Sequence, residues 1–415
     1  MVEAFILERF GTVTGPTVYW LVLIIYHVIL VVFATVIIIA SGKWWVAYKR
    51  LKFHFSQGST LLEIQLPQEI KKSPQAMEII LESLHQGRGE TTFINRYLEG
   101  KTRPWFSLEL VSLGGEVHFF IWTRTPLKET IKSAIYSQYP SVEIFEVEDY
   151  TKRIPLDLEK YKIWGCEFKL AQPDPYPIKT YKDYAMDKES REEFKVDPLS
   201  SLVEHLGILP KDNHIWIQIL VRAHKKEKKV RGSWFKKQSW KEEGKETINE
   251  LVDKWAPPKK KENKEASVAD LSDWQKSFID AIQRNLDKKA FDVGIRGLYI
   301  SKPDTFDADQ MHALINAFKQ FNHEEMNSLN PTGGLAGFDY PWQDYKEIRQ
   351  NIRRKKILNA YKLRSYFFPP YKSPHFVLSV EELATIYHFP GEVVTSPSVM
   401  RLRSRKGEAP GNLPR

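Results

Sequence analysis

The sequence predicts an α+β protein: an N-terminal transmembrane helix followed by two ferredoxin-like (βαββαβ) units, the second stretched by long helical insertions. Three observations predict it. Residues 18–41 form an apolar run without a charge. Residues 61–150 alternate strand-like and helix-like patterns in the order βαββαβ. The same order returns, more widely spaced, over residues 160–391.

The apolar run is VYWLVLIIYHVILVVFATVIIIAS. About 20 apolar residues cross a bilayer core, and a signal-peptide core holds only about 7–15. The preceding MVEAFILERF is no basic leader, although Ala40-Ser41-Gly42 has the small residues of a cleavage site. Lys43, Lys49, Arg50 and Lys52 follow the run and only Arg9 precedes it. Positive charge stays inside, so residues 1–17 are expected outside and residues 42–60 as a basic juxtamembrane segment. The bulk of the chain is then expected on the cytoplasmic side of the inner membrane. Tyr19, Trp20, Trp44 and Trp45 sit where an aromatic belt belongs. His27 reads as a weakly polar residue near the outer interface.

The first unit, 61–150, opens with the strand LLEIQLP. Ser73-Pro74 starts a helix, with Met77, Ile80, Leu81 and Leu84 on one face. FSLELVSL (106–113) alternates as a half-buried strand does, Gly114-Gly115 turns the chain, and VHFFIWTR (117–124) returns. Thr125-Pro126 begins a second helix with Leu127, Ile131, Ala134 and Ile135 inward, and SVEIFEVEDY (141–150) closes the unit.

In the second unit, 160–391, IWGCEFKL (163–170) is the first strand and Asp197-Pro198 starts a helix facing inward with Leu199, Leu202, Val203 and Leu206. HIWIQILVRAH (214–224) and FDVGIRGLYIS (291–301) are expected to pair, and Asp307 with Gln310 caps the next helix. HFVLS (375–379) is expected as the closing strand. After it, Ser379 and Glu382 have the spacing of a capping box, and Pro390-Gly391 stops that helix. Two insertions interrupt the unit. Residues 225–290 hold a charged stretch, the short helix ETINELVDKW, the link APPKKKENKEA, and a helix with Leu271, Trp274, Phe278, Ile282 and Leu286 on one side. Residues 323–365 hold SLNPTGGLAGFDYPW and a strongly basic helix.

The chain carries 61 Lys and Arg against 52 Asp and Glu, an excess that attracts anionic partners. Its one cysteine, Cys166, excludes an internal disulfide and a multi-cysteine metal site. Gly100-Lys101-Thr102 is no phosphate loop, because Asn95 occupies the required earlier glycine and a strand follows. No H-E-x-x-H or G-x-S-x-G motif occurs. Glu143, Glu146, Glu148 and Asp149 read as a solvated strand end that discourages edge pairing. The expectation is a non-catalytic protein with no catalytic residues, no metal, no cofactor and no small-molecule substrate.

The strongest binding signal is the basic helix 345–364. Arg349, Arg353, Arg354, Lys355, Lys356, Lys362 and Arg364 cluster with Tyr345, Tyr361 and Tyr366. These cations suit a nucleic-acid backbone with aromatics for stacking, anionic lipid headgroups, or an acidic protein.

Three stretches carry a resemblance: RPWFSLELVSLGGEVHFFIWTR (103–124), IKSAIYSQYPSVEIFEVEDYT (131–151), and VLSVEELATIYHFPG (377–391) with RLRSRKGEAPGNLP (401–414). Together they resemble a membrane-anchored domain-of-unknown-function family of candidate-phyla bacteria. Similar segments stand at the N-terminal side of HerA/FtsK-type ATPases of type IV secretion and conjugation. In those longer relatives the last stretch leads into the ATPase; here residues 392–415 read as a linker-like tail and Arg415 comes before any ATPase core. The resemblance therefore implies a single-pass platform without its own motor. That platform either docks a separate ATPase subunit or self-assembles. Docking is expected through 374–415, with Glu381, Glu382, Tyr387, His388 and Phe389 as candidate contacts.

Overall fold

The apolar run that opens the sequence is helical well past its last apolar residue. Helix α1 spans Pro16–Ser56 without a break, so the basic stretch expected as a separate juxtamembrane segment continues the same helix. At 1.5 Å per residue it is about 60 Å long. It is the one described helix long and apolar enough to cross a membrane. This is a computed structural model, and it describes residues 16–67, 72–87, 92–187, 197–225, 228–229, 237–255, 271–332 and 340–391. The glycine run 333–337, the link 256–266 and the tail 392–415 lie outside the described residues.

The chain divides into two compact units, one made of residues 1–57 and 89–102, the other of 58–88 and 103–415. In the smaller unit a six-residue π-helical turn, Ile94–Glu99, packs along α1.

The larger unit is built on a nine-stranded sheet, in which every pairing is antiparallel. Its first four strands are β1 (Thr60–Gln65), β2 (Trp105–Leu113), β3 (Glu116–Thr123) and β4 (Glu143–Val147). Helix α2 (Gln75–Ser83) lies between β1 and β2 in sequence, and α3 (Lys128–Gln138) between β3 and β4. The spatial order is β4-β1-β3-β2. Gly114 and Gly115 turn the β2–β3 hairpin with φ of 66° and 92°, a region glycine enters without a Cβ penalty.

The same spatial order recurs. Strands β5 (Lys162–Leu170), β6 (Asn213–Ala223), β9 (Ala290–Ser301) and β10 (Leu329–Thr332) lie as β10-β5-β9-β6. Helices α4 (Ser200–Gly207) and α7 (Ala308–Asn316) occupy the places of α2 and α3 in chain order. Strand β6 pairs with β2 from Trp105↔Arg222 to Leu113↔His214, which fuses the two sets into one sheet.

Two expectations are corrected. The strand beside β5 is β10, within the predicted insertion 323–365. It is short and contains Pro331, which an edge strand tolerates. The segment expected to close the unit is β11 (Phe376–Ser379), and it pairs with β9 from Phe376↔Val293 to Ser379↔Ala290. There it takes up the part of β9 that extends beyond the pairing with β5, which ends at Phe168↔Ile295.

In the predicted insertion 225–290 the two-residue strands β7 (Lys228–Lys229) and β8 (Lys237–Gln238) pair with each other. Helices α5 (Trp240–Trp255) and α6 (Asp273–Asp287) pack together through Trp240, Ile248, Val252, Phe278 and Ile282. Ser272 and Gln275 form a capping box at the start of α6. Of the five residues grouped on one side in the sequence, Leu271, Phe278, Ile282 and Leu286 are buried and Trp274 is 51% exposed.

Each face of the sheet covers its own core, as strand alternation requires. On one face Phe106, Leu108 and Leu110 of β2 join the apolar faces of α2, α3, α4 and α7. On the other, Trp105 and Val111 join an aromatic layer of Trp122, Tyr150, Trp216, Tyr361, Tyr366 and Phe368. Helix α8 (Ile348–Lys362) supplies Leu358 and Tyr361 to that second layer.

Candidate functional site

Helix α8 begins in tight backbone. Lys346 and Glu347 have positive φ, and the Asp344 carboxylate accepts from the amides of Arg349 and Gln350, each at 2.8 Å. Two of the four orphan amides of the first turn are thereby satisfied. Leu358, Ala360 and Tyr361 are buried at its far end. Its outward side carries Arg349, Arg353, Lys355 and Lys356, all exposed. Ile348 and Ile352, one turn apart, are 54% and 61% exposed. Tyr345 and Trp342 precede them, also exposed, and Trp342 stacks on Tyr340 at 4.7 Å. The expected basic helix therefore presents cations beside an apolar and aromatic row. Arg354 turns back along the helix, to Glu347 at 2.7 Å and Asn351 at 2.9 Å.

The last two predicted cations are not surface groups. Lys362 is half-buried and its Nζ donates to the Ile154 carbonyl. Burial lowers its pKa, partly offset by Asp149. Arg364 is fully interior: Nε donates to Glu109 Oε1 and Nη2 to Oε2, both at 3.0 Å. Its Nη1 and Nη2 also reach Asp149. Burial opposes the charge on Arg364, but Glu109, Tyr150 and Asp149 together outweigh it and raise its pKa. Asp149 shows the converse: burial works against its charge, and Arg364 holds its carboxyl below the ordinary value. Asp149 is thus no solvated strand end, unlike Glu146, which pairs with Lys128 and Lys132 at the surface.

Glu109 gathers the rest of this network. It accepts from Ser107 Oγ (2.6 Å), Tyr150 OH (2.8 Å) and Gln218 Nε2 (2.8 Å) as well as from Arg364. Five donors on two oxygens leave no acceptor capacity for a reacting proton. Tyr150 and Tyr361 join hydroxyls at 2.8 Å, and burial pushes both well above the ordinary phenol range.

A second buried centre lies across β6 and β9. Asp292 accepts from Arg222 Nε (3.0 Å) and Nη2 (2.6 Å), and its other oxygen meets His224 Nδ1 at 2.7 Å. Arg103 Nη1 stands 3.3 Å away. Burial alone would raise the Asp292 carboxyl; His224 and Arg222 override it and hold it far below the ordinary value. Phe367 lies 4.3 Å over the Arg222 guanidinium. Sequence reasoning missed this centre, although a lone charge inside an apolar strand, as in QILVRA and AFDVGI, is its visible signal.

The predicted docking residues are interior as well. The capping box forms on α9 (Val380–Ile386), with Ser379 Oγ accepting from the Glu382 amide at 3.3 Å and Glu382 Oε2 from the Ser379 amide at 2.8 Å. Glu382 Oε1 also takes the Ile178 amide at 2.9 Å. Glu381 binds Thr180 and Lys182, at 3.0 and 2.8 Å. Tyr387 OH donates to the Phe120 carbonyl, and Phe389 packs on Tyr139 at 5.0 Å. His388 places Nδ1 3.1 Å from the Ala384 carbonyl and Nε2 3.1 Å from Asp197. Burial opposes its charge; Asp197 together with the Ala384 and Thr385 carbonyls outweighs burial and raises its pKa. All five side chains are buried within this chain, so they offer no docking face while α9 is in place.

Among the described residues, no group of three His, Cys, Asp or Glu is placed to hold a metal ion. Cys166 is buried in the core and its thiol is pushed up to about 12 by burial, as a small apolar residue rather than a nucleophile would be.

The model of one protein family, described as "Domain of unknown function (DUF8128)", matches residues 49–401. No curated protein matches the chain. Neither result brings in a translocation ATPase, so that part of the resemblance rests on the quoted stretches alone.

Proposed function

We propose, from the premise that this chain belongs to the DUF8128 family, that it is a non-catalytic single-pass membrane platform. In this reading α1 crosses the inner membrane with its N-terminus outside, by the excess of Lys and Arg after the apolar run. Each four-strand set is a ferredoxin-like unit, and the repeated spatial order of strands supports that assignment. One observation carries the functional reading. Glu109 and Asp292 direct their oxygens to groups from remote segments of the same chain. Exposed cations instead collect on α8 beside exposed apolar side chains. The interior chemistry serves rigidity and the surface chemistry serves recognition.

The partner we assign is a separately encoded ATPase of a type IV secretion-like or DNA-translocating system, on the strength of the sequence resemblance. Deleting 374–415 would remove β11 and α9 from the core, so the test uses two gentler variants: deletion of 392–415, and Arg349→Glu/Arg353→Glu/Lys356→Glu. The full chain in nanodiscs is titrated with a purified HerA/FtsK-type ATPase, reading affinity and ATP hydrolysis. Loss of binding in either variant supports docking; absence of binding by the unmodified chain ends the reading.

The row Trp342, Tyr345, Ile348 and Ile352 favours a second reading, in which 345–364 grips anionic lipid or nucleic acid. Binding of phosphatidylglycerol vesicles or single-stranded DNA should then weaken steeply with salt and vanish in the triple variant. Salt-independent binding would rule it out.

A further inference from the structure

The segment 92–102 is tied to α1 at two levels. Trp45 Nε1 donates to the Tyr97 carbonyl at 3.2 Å, and His54 Nε2 meets Thr102 Oγ1 at 3.0 Å. Between these ties Gly100, at φ 71°, lies so close that a Cβ there would overlap the Lys49 backbone. The Lys101 amide closes the π-helical turn on the Asn95 carbonyl at 2.8 Å. This strap turns apolar side chains outward: Phe93 is 71% exposed, Ile94 56% and Leu98 50%. Its level on the helix is informative. Trp45 lies four residues past the apolar run, about 6 Å along the axis, within the few ångströms that headgroups occupy. Trp44 and Trp45 are exposed there, and Lys49 and Lys52 follow.

We propose that this strap is a second membrane contact, in which Phe93, Ile94 and Leu98 enter the headgroup–acyl boundary of the bilayer that α1 crosses. The proposal rests on the membrane-spanning reading of α1. Apolar side chains at that depth leave water, while Arg96, Lys101 and Lys49 remain at the level of anionic headgroups. The bilayer is the occupant because the strap is seated on the apolar helix itself, one turn past its last apolar residue.

The test is spin-label accessibility in the full chain, reconstituted in phosphatidylcholine/phosphatidylglycerol nanodiscs. Native Cys166 is fully buried and does not compete for label. Single labels are placed at Leu98→Cys and Phe93→Cys, with Leu30→Cys inside the apolar run and Ile208→Cys, at a 74% exposed site, as references. The expected result is a several-fold higher ratio of oxygen to nickel-chelate collisions at 93 and 98 than at 208, and a higher ratio still at 30. Position 30 in lipid with 93 and 98 matching 208 overturns the strap while leaving the membrane reading intact. Position 30 matching 208 overturns both. Exclusion of both reagents from 93 and 98 means that protein covers the strap, and overturns the lipid assignment.

Discussion

Arg364 and Glu109, 255 residues apart in the chain, form a two-pronged ion pair in which neither side chain is more than 1% exposed. Removing one partner of a buried pair strands the other. Arg364→Ala should therefore cost about 3–5 kcal/mol, read as a lower urea midpoint of the full chain in micelles by tryptophan fluorescence. Glu109→Gln should cost less, because Arg364 keeps Asp149. The reverse ranking would show that Glu109 is the group on which the network depends.

Asp292 faces two guanidiniums and two histidines, His224 and His375. Asp292→Asn leaves them without a counter-charge and should also cost about 3–5 kcal/mol at neutral pH. The sign of its pH dependence follows from a folded pKa held below the ordinary 3.8. Its contribution is present above that value and lost as pH falls through the folded pKa. The gap in urea midpoint between wild type and variant should narrow as pH drops below 3.8. A constant gap would mean that the carboxylate charge is not what matters.

Helix α9 carries the opposite dependence. Burial pushes Glu382 from 4.5 up to about 7, a shift corresponding to about 3 kcal/mol, and Asp197 raises His388 against the effect of burial. Both folded values are raised, so both contributions are complete at low pH and lost as pH rises through them. Amide exchange over 383–388, corrected for intrinsic rates, should be faster at pH 8.5 than at pH 5.5. Glu382→Gln should reduce this difference while lowering stability at pH 5.5, since one amide oxygen cannot serve both the Ser379 and Ile178 amides.

Gly294 faces the Tyr366 ring, and a Cβ at that position would overlap it. Gly294→Ala should displace the ring from its place over Arg296 and cost about 1–3 kcal/mol. Equilibrium denaturation measures this; an unchanged midpoint would mean the aromatic layer yields easily.

Much of the sheet is legible in the sequence because alternation announces a strand with one face buried and β-branched or aromatic runs announce one buried on both. FSLELVSL, VHFFIWTR and HIWIQILVRAH are visible in this way. LNPT is not, since four residues with a proline carry no period, and only pairing with Leu170 through Glu167 makes them a strand. The capping box of α9 was readable from Ser379 and Glu382, because it is a local spacing. That Glu382 lies in the core was not, because its burial depends on the segment carrying Ile178, some 200 positions away. Arg364 failed for the same reason: it closes a basic helix in sequence, and only the fold brings Glu109 and Asp149 to it.

The seam between β2 and β6 has a practical consequence. Nine consecutive residue pairs join the two four-strand sets, yet only residues 148–161 connect them along the chain between β4 and β5. Nicking that segment would leave two pieces, each carrying a long strand complementary to the other. Expressed as separate polypeptides in the same cell, they should find each other and rebuild one sheet, making this chain a natural split reporter.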